Sequence, residues 1–469
     1  LSFDDRTWNG MDTKSIDLRA FRDEAARELI SWYETVIRQL GYKGLTSQYN
    51  VGKQISLSSI RWESSPVISM NGYFNHPTGF FNVGSTLRPN SSIGSAASYW
   101  LGINSTCLSD RPFIVTEHNH SFWNPYVHED GLLFAAYSAL QDFSGILVHT
   151  DPVTWKIDSQ MDCFYVASSP VMRANEFLAC CLFQRGDVQP AKHNVMLQIP
   201  QPFIVEGNNG NQGVNTEQAK IGLITGFSVS FSGLKKSSDV SSVLSASMIK
   251  PDLTLQPGMG ATIESGEWSV DTRESGSNSF SLPILVDNLK KGNIIPADNL
   301  SDPTNGIFQS ETGEILLRSR ENLMKVETGK TEAVSLEAGK SENIGSLNVL
   351  GSTAPATIAV TSVDGSPLAS SSRIVLVYST EVANTGMELS PDRVTLLKQG
   401  TLPVLMKTGK LDITLKNSNG WNMSLYALGL DGSRREKIPV QFANGLLKID
   451  INTADLKNGP TPFFELAVK

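Results

Sequence analysis

The sequence predicts a multidomain chain, α/β in its first part and all-β in the rest, and three observations predict it. Residues 17–185 alternate helical and strand patterns, with polar residues directly after each strand. After residue 195 the helical periodicity gives way to short alternating runs separated by Gly, Asn, Asp and Pro. Residue types divide along the same line: all six histidines (76, 118, 120, 128, 149 and 193), all four cysteines, six of eight tryptophans and eight of ten tyrosines precede residue 200. Acid–base work, metal ligation and sugar stacking draw on these types, so the chemistry is expected in the first two-fifths. Parallel strands that deliver polar side chains at their C-terminal ends point to a (β/α) barrel, of which about four strands of the required eight are legible.

In chain order, residues 17–40 read as an amphipathic helix with Asp17 as N-cap and Leu18, Phe21, Ala25, Leu29, Trp32, Val36 and Leu40 as its apolar face, which places Trp32 in the core. Strands are predicted at 45–51, 67–73, 112–116 and 144–149, and helices at 55–62, 130–140 and 170–183. A Gly/Ser/Asn-rich loop covers 78–98. In the second part, alternating runs at 220–231, 280–286, 314–318, 356–363, 373–378, 411–415, 424–428 and 446–451 predict β-sandwich packing in two units that join near 383–387.

Composition narrows the function classes. With 469 residues, 40% hydrophobic and 18% charged, the chain is long enough for two to four domains and is neither collagen-like nor wholly disordered. A net charge of −8 argues against nucleic acid as the main partner. No run approaches twenty apolar residues, so no membrane span is expected. Four cysteines without CxxC spacing, two of them adjacent, read as buried free thiols.

The densest polar cluster is Thr116-Glu117-His118-Asn119-His120-Ser121-Phe122-Trp123-Asn124, immediately after an apolar strand. Three chemistries fit these letters. Glu117 is a glycosidase carboxylate among groups that hydrogen-bond and stack on sugars. Alternatively, His118 and His120 share one face of an extended segment and ligate a metal with His128, Glu129 or His76. Or Glu117 is a satisfied structural carboxylate at a strand end. A His-Asn-His nuclease reading fails on the acidic charge. Glu129 and Asp130 sit where acids favour a helix N-terminus.

The stretch Arg111–Asn119 followed by Tyr126–Ile146 resembles the seventh-strand, helix and eighth-strand segment of clan A glycoside hydrolases, in particular cellulase-like and β-galactosidase-like members. The resemblance implies that Glu117 is the catalytic nucleophile and that Tyr73 at the sixth strand contacts it. It implies substrate-binding roles for Asn75, His76, His118, Asn119, His120, Trp123, Tyr126 and His149, with Trp155 standing in for the aromatic platform of the eighth strand. It requires neither metal nor other cofactor. Residues 1–195 become strands five to eight of the barrel, 196–385 a β-sandwich domain with long loops, and 386–469 a C-terminal β-sandwich. The acid/base Glu of the fourth strand would then lie upstream of Leu1, and the missing N-terminal half of the same gene product becomes an expected partner. The implied function is retaining hydrolysis of a β-linked oligo- or polysaccharide by a secreted or periplasmic enzyme. The rival from another class is a non-catalytic carbohydrate-binding or surface protein with a degenerate barrel.

Overall fold

The computed structural model describes residues 12–48, 50–150, 159–206, 209–237, 240–241, 251–258, 262–265, 268–273 and 279–468. An α/β region precedes large antiparallel sheets. Helix α1 (Thr13–Gln39) is capped by Asp12, which accepts from the Ser15 amide, one turn before the expected Asp17. Then come α2 (Ile55–Ser64), β1 (Ile68–Phe74), the short strand β2 (Thr78–Phe81), α3 (Ser98–Asn104), β3 (Phe113–His120), α4 (Asp130–Leu140), β4 (Gly145–Val148) and α5 (Pro170–Ala179). Proline occupies the first turn of α5 and Ser169 caps it.

Among the described residues, β1, β3 and β4 form a three-stranded parallel sheet in the order β1-β3-β4. The sheet is open, and no barrel closes. The strand expected at 45–51 is irregular, yet it lies along the free side of β1: the Asn71 amide donates to the Asn50 carbonyl (2.6 Å) and Ser47 Oγ to Ser69 Oγ (2.7 Å).

Every residue of α4 is buried. Its uniformly apolar sequence is explained by its position, since it packs on α5 on one side and on strands Leu323–Glu327 and Thr331–Leu336 of the antiparallel region on another. Gly131 permits the α4–α5 approach, because a Cβ there would lie 2.3–2.7 Å from the Asn175 backbone.

The α/β pattern continues beyond residue 195. Strands β5 (Asn194–Pro200), β6 (Gly226–Ser232) and β7 (Leu253–Leu255) form a second parallel sheet, order β6-β5-β7, where antiparallel pairing was expected. The run at 280–286 is the start of a helix, α6 (Leu282–Lys291). Both runs are apolar and short, a case in which periodicity does not separate a buried strand from a buried helix.

The antiparallel region is one sandwich. A nine-stranded sheet runs in the order Ile307–Gln309, Ile315–Arg318, Leu323–Glu327, Thr331–Leu336, Ala356–Ser362, Arg373–Ser379, Phe463–Val468, Met423–Leu428 and Arg434–Ile438. A five-stranded sheet (Glu342–Ile344, Leu347–Ser352, Lys410–Lys416, Leu446–Asn452, Gln441–Ala443) shares with it a core that includes Val334, Ile358, Leu376, Ile413, Ile449 and Phe464. The expected join at 383–387 does not separate two sandwiches: Arg373–Ser379 pairs with Phe463–Val468, and Leu347–Ser352 with Lys410–Lys416. Non-local strand pairing crosses that point, and local turn signals carry no information on it. Residues 382–406 leave the sandwich as small hairpins and return to the α/β region.

The predicted apolar stripe of α1 is correct as a pattern and wrong as a core. Phe21 is 68% exposed, Trp32 57% and Leu40 81%, while the helix buries Ser15, Arg19 and Ile30. No helix of the described residues is long and apolar enough to cross a membrane.

Candidate functional site

The site sits at the C-terminal ends of β1, β3 and β4. In register, Asn71 of β1 stands beside Glu117 of β3, at an irregularity that follows Met70. Thr116 Oγ1 donates to Asn71 Oδ1 (2.6 Å) across the same step. Glu117 is half-buried, and its Oε2 accepts a short hydrogen bond from the Tyr73 hydroxyl. Burial, then that bond and the Glu117 charge, push the Tyr73 phenol well above its ordinary range. The phenol therefore stays protonated and donates to the carboxylate.

Aromatic rings surround this pair. The Tyr73 ring lies 4.9 Å from Phe164, 5.6 Å from His76 and 5.9 Å from His149 between centroids. His76 in turn packs on Phe164 (5.2 Å) and on Phe80 (5.3 Å). Asn75 closes one side, donating to Asn90 Oδ1 (2.6 Å). The cluster thus unites Glu117, Tyr73, Asn75, His76 and His149 of the predicted residues. Phe80 and Phe164 were missed, because Phe80 lies in a four-residue strand and Phe164 in a turn, both too short to carry a periodic signal.

Other predicted binders point elsewhere. His118 and His120 project from the opposite face of β3 and are buried. His118 stacks on Phe134 of α4 (3.8 Å, 9° between planes) and lies 3.6 Å from Asp130. His120 Nε2 is 3.1 Å from the Tyr99 hydroxyl, which donates to Asp130 (3.0 Å). Burial raises the Asp130 carboxyl, but the His120 and His118 rings and the Tyr99 hydroxyl outweigh it and hold it down at about 2. Strand alternation is the reason: His118 and His120 follow Glu117 by one and three residues, odd spacings that turn both to the opposite face.

Asn119 is buried and serves the backbone, donating to the carbonyls of His149 and of Phe164 (3.1 Å for the latter), which fixes the segment that carries the Phe164 ring. Trp123, expected as an exposed sugar platform, is 2% exposed and packs against Phe81 (6.0 Å) in a core shared with Leu396. Tyr126 is half-buried, and burial and the Glu337 carboxylate raise its phenol. His128 is buried against Thr357 Oγ1 (3.2 Å), and burial pulls its ring down to about 3. Trp155 lies outside the described residues.

Glu129 is also sealed. It accepts from Ser91 Oγ (2.7 Å), Ser92 N (2.8 Å), Ser92 Oγ (2.7 Å) and Ile93 N (3.1 Å), and so anchors the loop that carries Asn90. Burial nevertheless pushes its carboxyl up to about 7. Among the described residues no group of three or more His, Cys, Asp or Glu side chains is placed to hold a metal ion. Of the cysteines, Cys107, Cys163 and Cys181 are buried and free, and Cys180 is exposed and free.

No protein-family model, no curated protein and no solved structure matches this chain.

Proposed function

We propose that the protein is a retaining glycoside hydrolase acting on β-linked oligo- or polysaccharide, with Glu117 as nucleophile. The observation that carries this reading is the accessible Glu117 carboxylate at a strand's C-terminal end, hydrogen-bonded by a protonated Tyr73 and ringed by aromatic side chains. Glu117 attacks the anomeric carbon, the bond to the leaving oxygen breaks, and a second carboxyl gives that oxygen a proton. Water then attacks the glycosyl-enzyme, losing its proton to the same carboxyl, and releases the sugar and Glu117. Tyr73 aims the attacking oxygen and steadies its charge before attack.

The described contacts of Glu117 include no second carboxylate, so this reading places the acid/base on further polypeptide that completes the parallel sheet as a (β/α) barrel, β1, β3 and β4 being its sixth to eighth strands. One observation supports an additional layer: the apolar stripe of α1 with Phe21, Leu29 and Trp32 faces outward. The segment carrying the other four strands, from the same gene product, is the proposed cover. Export to a compartment that holds polysaccharide belongs to the same proposal.

A 2,4-dinitrophenyl 2-deoxy-2-fluoro-β-glycoside tests the nucleophile independently of the acid, because dinitrophenolate departs without protonation. Peptide mapping should place the trapped sugar on Glu117. An adduct on another carboxylate overturns the assignment. Saccharide binding with no adduct at all, across gluco-, galacto-, manno- and xylo-configured reagents, selects the non-catalytic binding protein instead.

A further inference from the structure

The antiparallel region reaches the cleft. Strand β2 and the residues after it fold back, Thr78 N donating to Thr86 O (3.0 Å), and residues 84–87 then pair with the excursion from the sandwich. Gly84 N donates to Leu396 O (2.8 Å), Leu396 N to Ser85 O (3.0 Å) and Leu87 N to Val394 O (2.9 Å), with an antiparallel bridge between Thr86 and Thr395. Gln399 Nε2 donates to the carbonyl of Phe81. The side chains alternate across this join. Phe81 (4% exposed) turns inward onto Phe122 and Trp123, within the core that holds Leu396 and Val382. Its neighbour Phe80 turns outward, 57% exposed, onto the His76 and Phe164 rings of the cluster.

Phe80 carries a second mark. Its φ is +53°, a left-handed backbone that a bulky side chain rarely adopts and that costs of the order of the strain found at ligand clamps. A phenyl ring held in that conformation with more than half its surface in solvent gains little from packing. The ring is presented instead to solvent beside His76 and Phe164.

We propose that Phe80 is a sugar-stacking residue at the rim of the cleft, presented there by residues 382–406, so that the α/β region and the sandwich build one binding site. The inference rests on the glycoside-hydrolase reading. Its ligand class is a β-linked pyranoside, whose axial C–H groups form an apolar face that stacks on an aromatic ring while its rim hydroxyls reach Asn75, His76 and Glu117. Gln399 is a positioning residue that acts through the Phe81 carbonyl.

The test is titration calorimetry with cello-, xylo-, manno- and β-1,4-galacto-trisaccharides, on the full chain carrying Glu117→Gln to prevent turnover. Phe80→Ala should weaken the trisaccharide that binds by about ten-fold, Phe80→Trp should retain or tighten it, and the unfolding midpoint should hold because the ring is exposed. Gln399→Ala should weaken binding two- to three-fold with Phe80 present and not at all in the Phe80→Ala background, a dependence that a merely structural role would not show. Binding within two-fold of the parent in Phe80→Ala overturns the stacking role and leaves the hydrolase reading standing. If none of the trisaccharides binds the parent, the stacking role falls, and trapping of the fluoro-glycoside on Glu117 decides the hydrolase reading by itself. Choline bound at the cluster in place of sugar, and lost in Phe80→Ala, would make the rings a cage for a quaternary ammonium and overturn the sugar assignment.

Discussion

The two faces of β3 use the same residue types for opposite ends. On the cleft face, Glu117 is half-exposed, and Tyr73 is its single hydrogen-bonding side chain among the described residues. On the helix face, Asp130 is 1% exposed and is enclosed by His118, His120 and Tyr99 under α4. Both are carboxylates among histidines and a tyrosine, and only access and unspent hydrogen-bonding capacity separate a nucleophile from a structural anchor. A dense polar cluster in a strand is therefore two clusters, one per face.

The largest effect that sharpens this contrast is Glu117→Gln. We expect it to lower hydrolysis or fluoro-glycoside trapping at least about a thousand-fold, as loss of a covalent nucleophile does, with the unfolding midpoint in urea unchanged. A matching loss of stability would erase the distinction between the faces. Asp130→Ala should do the reverse. Removing the shared partner of two buried imidazoles and a phenol should cost about 3–5 kcal/mol in denaturant titration, and a loss under 1 kcal/mol would show the network to be dispensable.

Glu129 divides the sealed face itself. Next to Asp130, whose carboxyl is held down at about 2, it is pushed up from 4.5 to about 7 by burial. Between pH 4.5 and about 7 the folded chain keeps a proton there that the unfolded chain releases, so stability falls as pH rises through that window and levels off above it, by about 3 kcal/mol. Glu129→Gln preserves every bond if its amide NH2 donates to Ser91 Oγ and its carbonyl accepts from Ser92 and Ile93. Urea midpoints measured from pH 4.5 to 8 should lose that slope in the variant, and a slope equal to the parent's would assign it to another group.

Tyr73→Phe should have the smallest effect, about ten- to a hundred-fold on the rate of trapping with stability within about 1 kcal/mol. A trapping rate within about two-fold of the parent's would break the link between the two residues.

Much of the α/β region was legible locally. Helix α4 occupies the predicted 130–140, and β1, β4 and α5 lie within a few residues of their predicted bounds, because long apolar runs bounded by Pro, Asp or Ser-Gly punctuation carry their own signal. The Tyr73–Glu117 contact came from the resemblance, which sets a sixth-strand Tyr or His beside the seventh-strand carboxylate, and not from local pattern. The outward turn of Trp32, the burial of Trp123 and the single sandwich built across residue 385 were not legible, since each depends on which surface another part of the chain covers.

By itself, then, the sequence determined the alternation of helices and strands, the antiparallel character beyond residue 307 and the carboxylate that heads the candidate site. Spacing and composition act within a few residues and need no partner. Tertiary structure alone decided which face of β3 opens to solvent, which aromatic rings gather around Tyr73 and that residues 394–399 pair with residues 81–87. Those outcomes follow from strand register and from burial by distant segments, as in the bond from Gln399 to Phe81 across 318 residues, and no local pattern encodes a neighbour that distant.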